Sequence, residues 1–182
     1  MEWPRSTSSS CSNPARVSDM GIAKKKVYLA GPITGDYRDA EWRNFVASGL
    51  RRHLVEAINP LDGSKVEQYR EDGMKWIRKT RRDLTGVEEA LPLSWAARDF
   101  DNIKECDLLF VGFPYVPERQ AIGTLMEMGM AVALRIPVVL VCACPLFTEH
   151  LFVRGFVEQS VDHMDLGIDR AIAILQRQVR QA

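Results

Sequence analysis

A parallel β-sheet covered by helices on both faces is what this sequence predicts, and three observations predict it. Short β-rich apolar runs alternate with longer amphipathic stretches along most of the chain. The runs "DLLFVGF" and "PVVLVCAC" are apolar at successive positions, as strands buried on both faces are. Two glycine-containing loops, residues 31–36 and 112–123, follow strand-like runs. In sheets of this kind ligands bind beyond the carboxyl ends of the strands, where the strand order reverses.

Taken in order, residues 1–23 read as a disordered leader: they are Ser-rich and carry no apolar stretch behind their charges, unlike a secretory signal. A single domain of 24–182 follows, opening at "KKKVYLAGPITG", a strand running into a tight loop. Trp42, Phe45, Val46, Leu50 and Leu54 recur at helical spacing, so "DAEWRNFVASGLRRHL" is an amphipathic helix packed on the sheet. "VEAINP" returns as a strand, and the charged stretch 61–91 reads as an insertion or flap in which "GMKWIRKTRRDL" could form a helix. After it come a helix at "LSWAARDFDNIKEC", a strand at "DLLFVGF", a helix at "GTLMEMGMAVALRI", a strand at "PVVLVCAC" and a closing helix at "GIDRAIAILQRQVRQA".

The bulk composition excludes several classes. Lysine plus arginine equals aspartate plus glutamate at 24 each, so no global field draws the chain onto nucleic acid or an anionic membrane. The longest apolar runs are too short to span a bilayer. The four cysteines form no CxxC pair and read as small core residues, and the three histidines show no zinc-like spacing. No metal or cofactor is expected, and reduced thiols point to the cytoplasm.

The sharpest feature is Glu127, one carboxylate in the otherwise apolar "GTLMEMGMAVAL". One reading is a capping box, with Thr124 as N-cap and Glu127 reaching back to its amide. The other is a partly desolvated acid on the first turn of a buried helix, facing the crevice and able to act as nucleophile or base. In "YLAGPITGD", Gly31 and Gly35 either permit a turn with positive φ or expose backbone amides to an anion or a sugar. The loop is neither GxGxxG nor a P-loop. In "ARDFDNIKECD", Asp101 and Asp107 read as a solvated charge or a cap, whereas Asp99 leads toward the strand that opens onto Glu127. Two carboxyls near one sugar carbon suit glycosidic cleavage, one attacking while the other handles the proton.

Together and in this order, "VYLAGPITG", "RDFDNIKECDLLFV" and "GTLMEMGMAVAL" resemble the nucleoside 2-deoxyribosyltransferase superfamily, which includes N-hydrolases of deoxynucleoside monophosphates. The resemblance covers about residues 26–160 outside the insertion and implies a Rossmann-like, flavodoxin-related three-layer fold. It implies that Glu127 attacks the anomeric carbon to form a glycosyl ester, and that Asp99 assists proton transfer or fixes the sugar hydroxyls. It also implies that Tyr28, Gly31, Ile33, Thr34 and Gly35 line the sugar and base pocket, with Gly123 beside the nucleophile. The substrate would be a nucleoside or nucleotide, without nucleic-acid, membrane or cofactor partners. The superfamily commonly completes its pocket from a neighbouring subunit, so a homo-oligomer, dimer or larger, with shared sites is expected. "EHLFVRG" resembles the donated segment, which makes His150 and Arg154 candidates.

The chain departs from the superfamily pattern at three places. Gly112 stands where many transferases carry a base-binding acid after the third strand. Thr34 and Ala121 replace the arginine and serine of the monophosphate hydrolases, for which Arg38 or Arg119 could substitute. Three rivals stay open: a phosphoribohydrolase of the cytokinin-activating type, although its Pro-Gly-Gly is missing from "ERQAIGT"; a non-catalytic sensor of nucleotides or ADP-ribose-like ligands; and an interaction protein with a vestigial pocket.

Overall fold

The computed structural model describes residues 24–33, 37–61, 86–113 and 121–181. The proposed leader, Thr34, Gly35, Arg119 and most of the 61–91 stretch, including its suggested helix, lie outside the described residues.

Among the described residues five strands form one sheet: β1 (Lys26–Ala30), β2 (Glu56–Ile58), β3 (Leu108–Phe113), β4 (Val138–Cys142) and β5 (Gln159–Val161). All four pairings are parallel and the order is β2-β1-β3-β4-β5. This is the flavodoxin-like arrangement, whose switch point lies between β1 and β3. The helices are α1 (Tyr37–Arg51), α2 (Gly86–Lys104), α3 (Ile122–Ala133), α4 (Pro145–Thr148), α5 (Leu151–Phe156) and α6 (Met164–Gln181).

Alternation along the strands divides the core into two layers. Val27, Leu29, Leu108, Phe110, Val139 and Val141 pack against α1 and α6. Tyr28, Ala30, Leu109, Val111, Phe113, Leu140 and Cys142 face the other way, toward Ile103 of α2, Met128 of α3 and Val153 of α5. The predicted three-layer α/β fold is therefore the observed one.

Several local expectations change. Phe45 is half-exposed, and Leu54 lies beyond α1 in a turn, 80 % exposed with φ 60°. The buried stripe of α1 is Asp39, Trp42, Arg43, Val46 and Leu50. Helix α2 begins at Gly86, inside the stretch read as an insertion. Of the two readings of Asp107 the cap is the nearer: partly exposed just before β3, it takes 2.7 Å and 2.8 Å hydrogen bonds from the Lys25 ammonium and the Lys26 amide, tying β3 to the start of β1. Cys142 ends β4, and Cys144 stands beyond it as the residue before α4, accepting no strand pairing. Cys106 and Cys142 are buried and Cys144 is half-buried; burial pushes the Cys106 thiol up to about 11. No helix among the described residues is long and apolar enough to cross a membrane.

Candidate active site

Glu127 lies on α3, the helix that follows β3, and Tyr28 lies in the middle of β1 on the same face of the sheet. The site is thus assembled across the β1/β3 switch point. The Tyr28 hydroxyl donates a 2.9 Å hydrogen bond to Glu127 Oε1. Tyr28 itself has no exposed surface, so what it contributes reaches the site through Glu127.

The capping-box alternative does not describe this helix. α3 starts at Ile122, its N-cap is Ala121, and no side chain caps it. Thr124 is already inside the first turn and buried, so it cannot be the N-cap, and Glu127 falls in the second turn rather than the first. The helix is also less enclosed than its apolar sequence suggests: Ile122, Leu125 and Met126 are exposed, while Thr124, Met128 and Ala131 face the core.

Burial pushes the Glu127 carboxyl up to about 7. The Tyr28 hydrogen bond opposes that shift, the charge of Asp99 adds to it, and Arg43 and Arg98 oppose it further. Such a group changes charge near neutral pH, as a carboxylate with a chemical task requires. Burial, followed by the facing Glu127 charge, keeps the Tyr28 phenol protonated well above its ordinary range.

Asp99, on α2, is held by its neighbour: Arg98 donates to Oδ1 from Nε at 3.2 Å and from Nη2 at 3.0 Å. Asp99 and Glu127 are close enough for their charges to repel. The structure therefore brings Tyr28, Glu127 and Asp99 together from β1, α3 and α2, with Arg98 beside them.

The first loop is tightly packed at its root. A Cβ on Gly31 would stand 2.6 Å from the Gly112 carbonyl and 2.7 Å from the Trp42 ring, so this position admits only glycine without a shift. Ile33, two residues on, is 39 % exposed. Gly112 is not in a loop after the third strand but inside β3, where its own Cβ would meet the Trp42 ring at 2.6 Å. Gly123 lies exposed in the first turn of α3, with open space around it. His150 precedes α5, exposed and stacked on Phe152 with 6.0 Å between ring centroids; Arg154 pairs with Glu149 at 3.6 Å. A separate cavity of about 530 Å³ lies at the amino end of β4, among Val132, Pro137, Phe156 and Ile174. Neither Glu127 nor Asp99 lines it.

The sequence profile of the nucleoside 2-deoxyribosyltransferase family matches residues 27–146, more than half of the chain and the whole stretch from Tyr28 to Glu127. The chain belongs to the nucleoside 2-deoxyribosyltransferase family. It is accordingly an enzyme of the nucleoside 2-deoxyribosyltransferase kind. Among solved structures it is similar to a 2-deoxyribosyltransferase from the psychrotolerant bacterium Bacillus psychrosaccharolyticus. That match has 15 % identity and a TM-score of 0.50, covering 77 % of this chain and 88 % of that one. It is also similar to the CMP N-glycosidase BcmB of Clostridium botulinum, with 18 % identity and a TM-score of 0.43, covering 82 % and 99 %. A search of curated proteins finds no match.

Sequence reasoning missed two residues of this site, Arg98 and Arg43. The signal for Arg98 was its place immediately before the candidate acid. The signal for Arg43 was a cation on the stripe that Val46 and Leu50 continue at i+3 and i+7.

Proposed function

We propose that this member of the family cleaves the N-glycosidic bond of a nucleoside or nucleotide by double displacement through Glu127. The observation that carries the proposal is the 2.9 Å Tyr28–Glu127 hydrogen bond, which occupies Oε1 and leaves Oε2 as the attacking atom. As Glu127 Oε2 bonds to C1′, the C1′–N bond breaks and its electron pair leaves with the base. Asp99, held by Arg98, passes a proton from solvent to the departing base nitrogen. In the second step a new base nitrogen or a water oxygen attacks C1′, the ester bond breaks, Glu127 leaves as carboxylate, and Asp99 hands the acceptor's proton back to solvent. Two inversions at C1′ give net retention. Water as acceptor makes a hydrolase; a base makes a transferase.

Ile33, Thr34, Gly35 and Gly123 border the sugar, with Gly31 fixing the root of the first loop. His150 serves the site of a neighbouring copy. Exposed apolar side chains on α3 (Ile122, Leu125, Met126) and around α4 and α5 (Leu146, Leu151, Phe152) support a homo-oligomer with shared sites.

The test is incubation with a panel of nucleosides and their monophosphates, with and without a free acceptor base, followed by chromatography. Wild-type protein releases or exchanges the base, and Glu127→Gln and Glu127→Ala lose at least about a thousandfold in rate. Substantial turnover by Glu127→Ala would overturn the mechanism. Ligand bound but recovered intact after prolonged incubation would support the sensor reading instead.

A further inference from the structure

Arg43 is fully buried, as is Asp39 one turn before it on α1. A buried guanidinium carries a large desolvation cost unless its donors are met. Here they meet backbone: Nη2 donates to the Gly31 carbonyl at 2.8 Å, Nη1 to the Asp39 carbonyl at 2.6 Å, and Nε to the Leu29 carbonyl at 3.4 Å. The guanidinium also lies over the Trp42 ring, 4.5 Å from its centroid.

The strand pairing explains why the Leu29 carbonyl needs a side-chain donor. On the β2 side of β1, the Glu56 amide donates to Lys25 O, and Tyr28 is level with Ile58, the last residue of β2. Donors that face one neighbour recur at every second residue of a parallel strand, so after Glu56 they fall at Ile58 and then at residue 60. Residue 60 is Pro60, which has no N–H. The carbonyls of Leu29 and Gly31 point to this side, and the strand position opposite the Leu29 carbonyl is the one that Pro60 fills.

We propose that Arg43 is a positioning residue for the reaction proposed above, standing in for the strand donor that Pro60 lacks and holding the carbonyls of Leu29 and Gly31 so that residues 29–33 keep their conformation. This rests on the reading of Glu127 as nucleophile. The guanidinium charge adds a second effect. Among the described residues, the groups that act electrostatically on Glu127 are Tyr28 from β1, Asp99 and Arg98 from α2, and Arg43 from α1; Arg43 favours the ionised carboxylate.

Three variants test it: Arg43→Met, Arg43→Lys, and Arg43→Lys combined with Pro60→Ala, which restores an N–H opposite Leu29. Glu127 is titrated by carboxyl-carbon NMR, assigned by its loss in Glu127→Gln, and amide exchange is followed at residues 29–33. Arg43→Met raises the Glu127 midpoint by about half a unit or more and speeds exchange at least about tenfold. Arg43→Lys keeps the midpoint near wild type but still loses protection, and adding Pro60→Ala recovers part of it. Unchanged midpoint and unchanged exchange in a folded Arg43→Met overturn the proposal. So does an Arg43→Lys protein that unfolds and is not rescued by Pro60→Ala, because Arg43 is then only a core residue. Neither readout needs turnover, so a wild-type protein without glycosidic activity would sink the proposed function while leaving this result legible. In active protein, kcat of Arg43→Met falls more at about pH 6 than at about pH 8, with KM changing less.

Discussion

At Glu127 burial and hydrogen bonding pull in opposite directions. Burial raises the carboxyl toward about 7, while the Tyr28 hydroxyl favours the anion. Attack on C1′ needs the anion, so kcat/KM rises with pH along an acid limb centred near that value. Tyr28→Phe removes the largest of the effects that oppose burial, which moves the limb to higher pH. A hydrogen bond to a charged group contributes about 1.5–3 kcal/mol, and one unit corresponds to about 1.4 kcal/mol, so the shift is about one to two units. Rate profiles of the two proteins across neutral pH measure it, and coincident limbs would exclude Tyr28 as the orienting group. The same raised pKa makes the anion a cost to folding above it. Glu127→Gln therefore gains thermal stability over wild type at about pH 8 and gains less at about pH 5, a comparison that melting curves decide.

At the level of elements, the root of the site depends on how closely α1 crosses β1 and β3. Trp42 lies over Gly31 and Gly112 and stacks on Phe110 with 6.4 Å between ring centroids. Both glycines are needed for this approach rather than for a turn. Gly112→Ala pushes a methyl into the indole, and overpacking of this kind costs about 1–3 kcal/mol. The expected fall in Tm is about 2–10 °C by calorimetry. A fall no larger than that of a surface alanine substitution would mean that Trp42 swings aside freely. Helix α3 shows why apolar sequence is an imperfect guide to burial: Ile122, Leu125 and Met126 lie on the face turned away from the sheet, whereas Thr124 is buried.

Across the whole molecule, α3 and α5 pack beside each other and both carry exposed apolar side chains. Monomeric proteins rarely leave such a surface open. Sedimentation of wild type is expected to give a dimer or larger assembly, and Leu151→Glu with Phe152→Glu is expected to dissociate it with loss of turnover. A wild-type protein that sediments as a monomer and remains active would remove the shared-site proposal.

The sequence by itself determined the sheet's central strands and the helices between them, because runs of apolar residues and helical periodicity report local burial directly. It also singled out Glu127, because an acid in an apolar stretch costs free energy that some partner must offset, and Asp99, because its segment leads to the strand that opens onto Glu127. It missed the three-residue β5 and placed the start of α2 too late, since neither carries a periodic signal of its own. What only the tertiary structure decided was the identity of the partners. Tyr28 lies 99 residues from Glu127 along the chain, and Arg43 reaches the carbonyls of Leu29 and Gly31 from α1. Those contacts depend on strand order and on the crossing of α1 over the sheet, which arise from long-range packing and leave no periodic trace in the residues that make them.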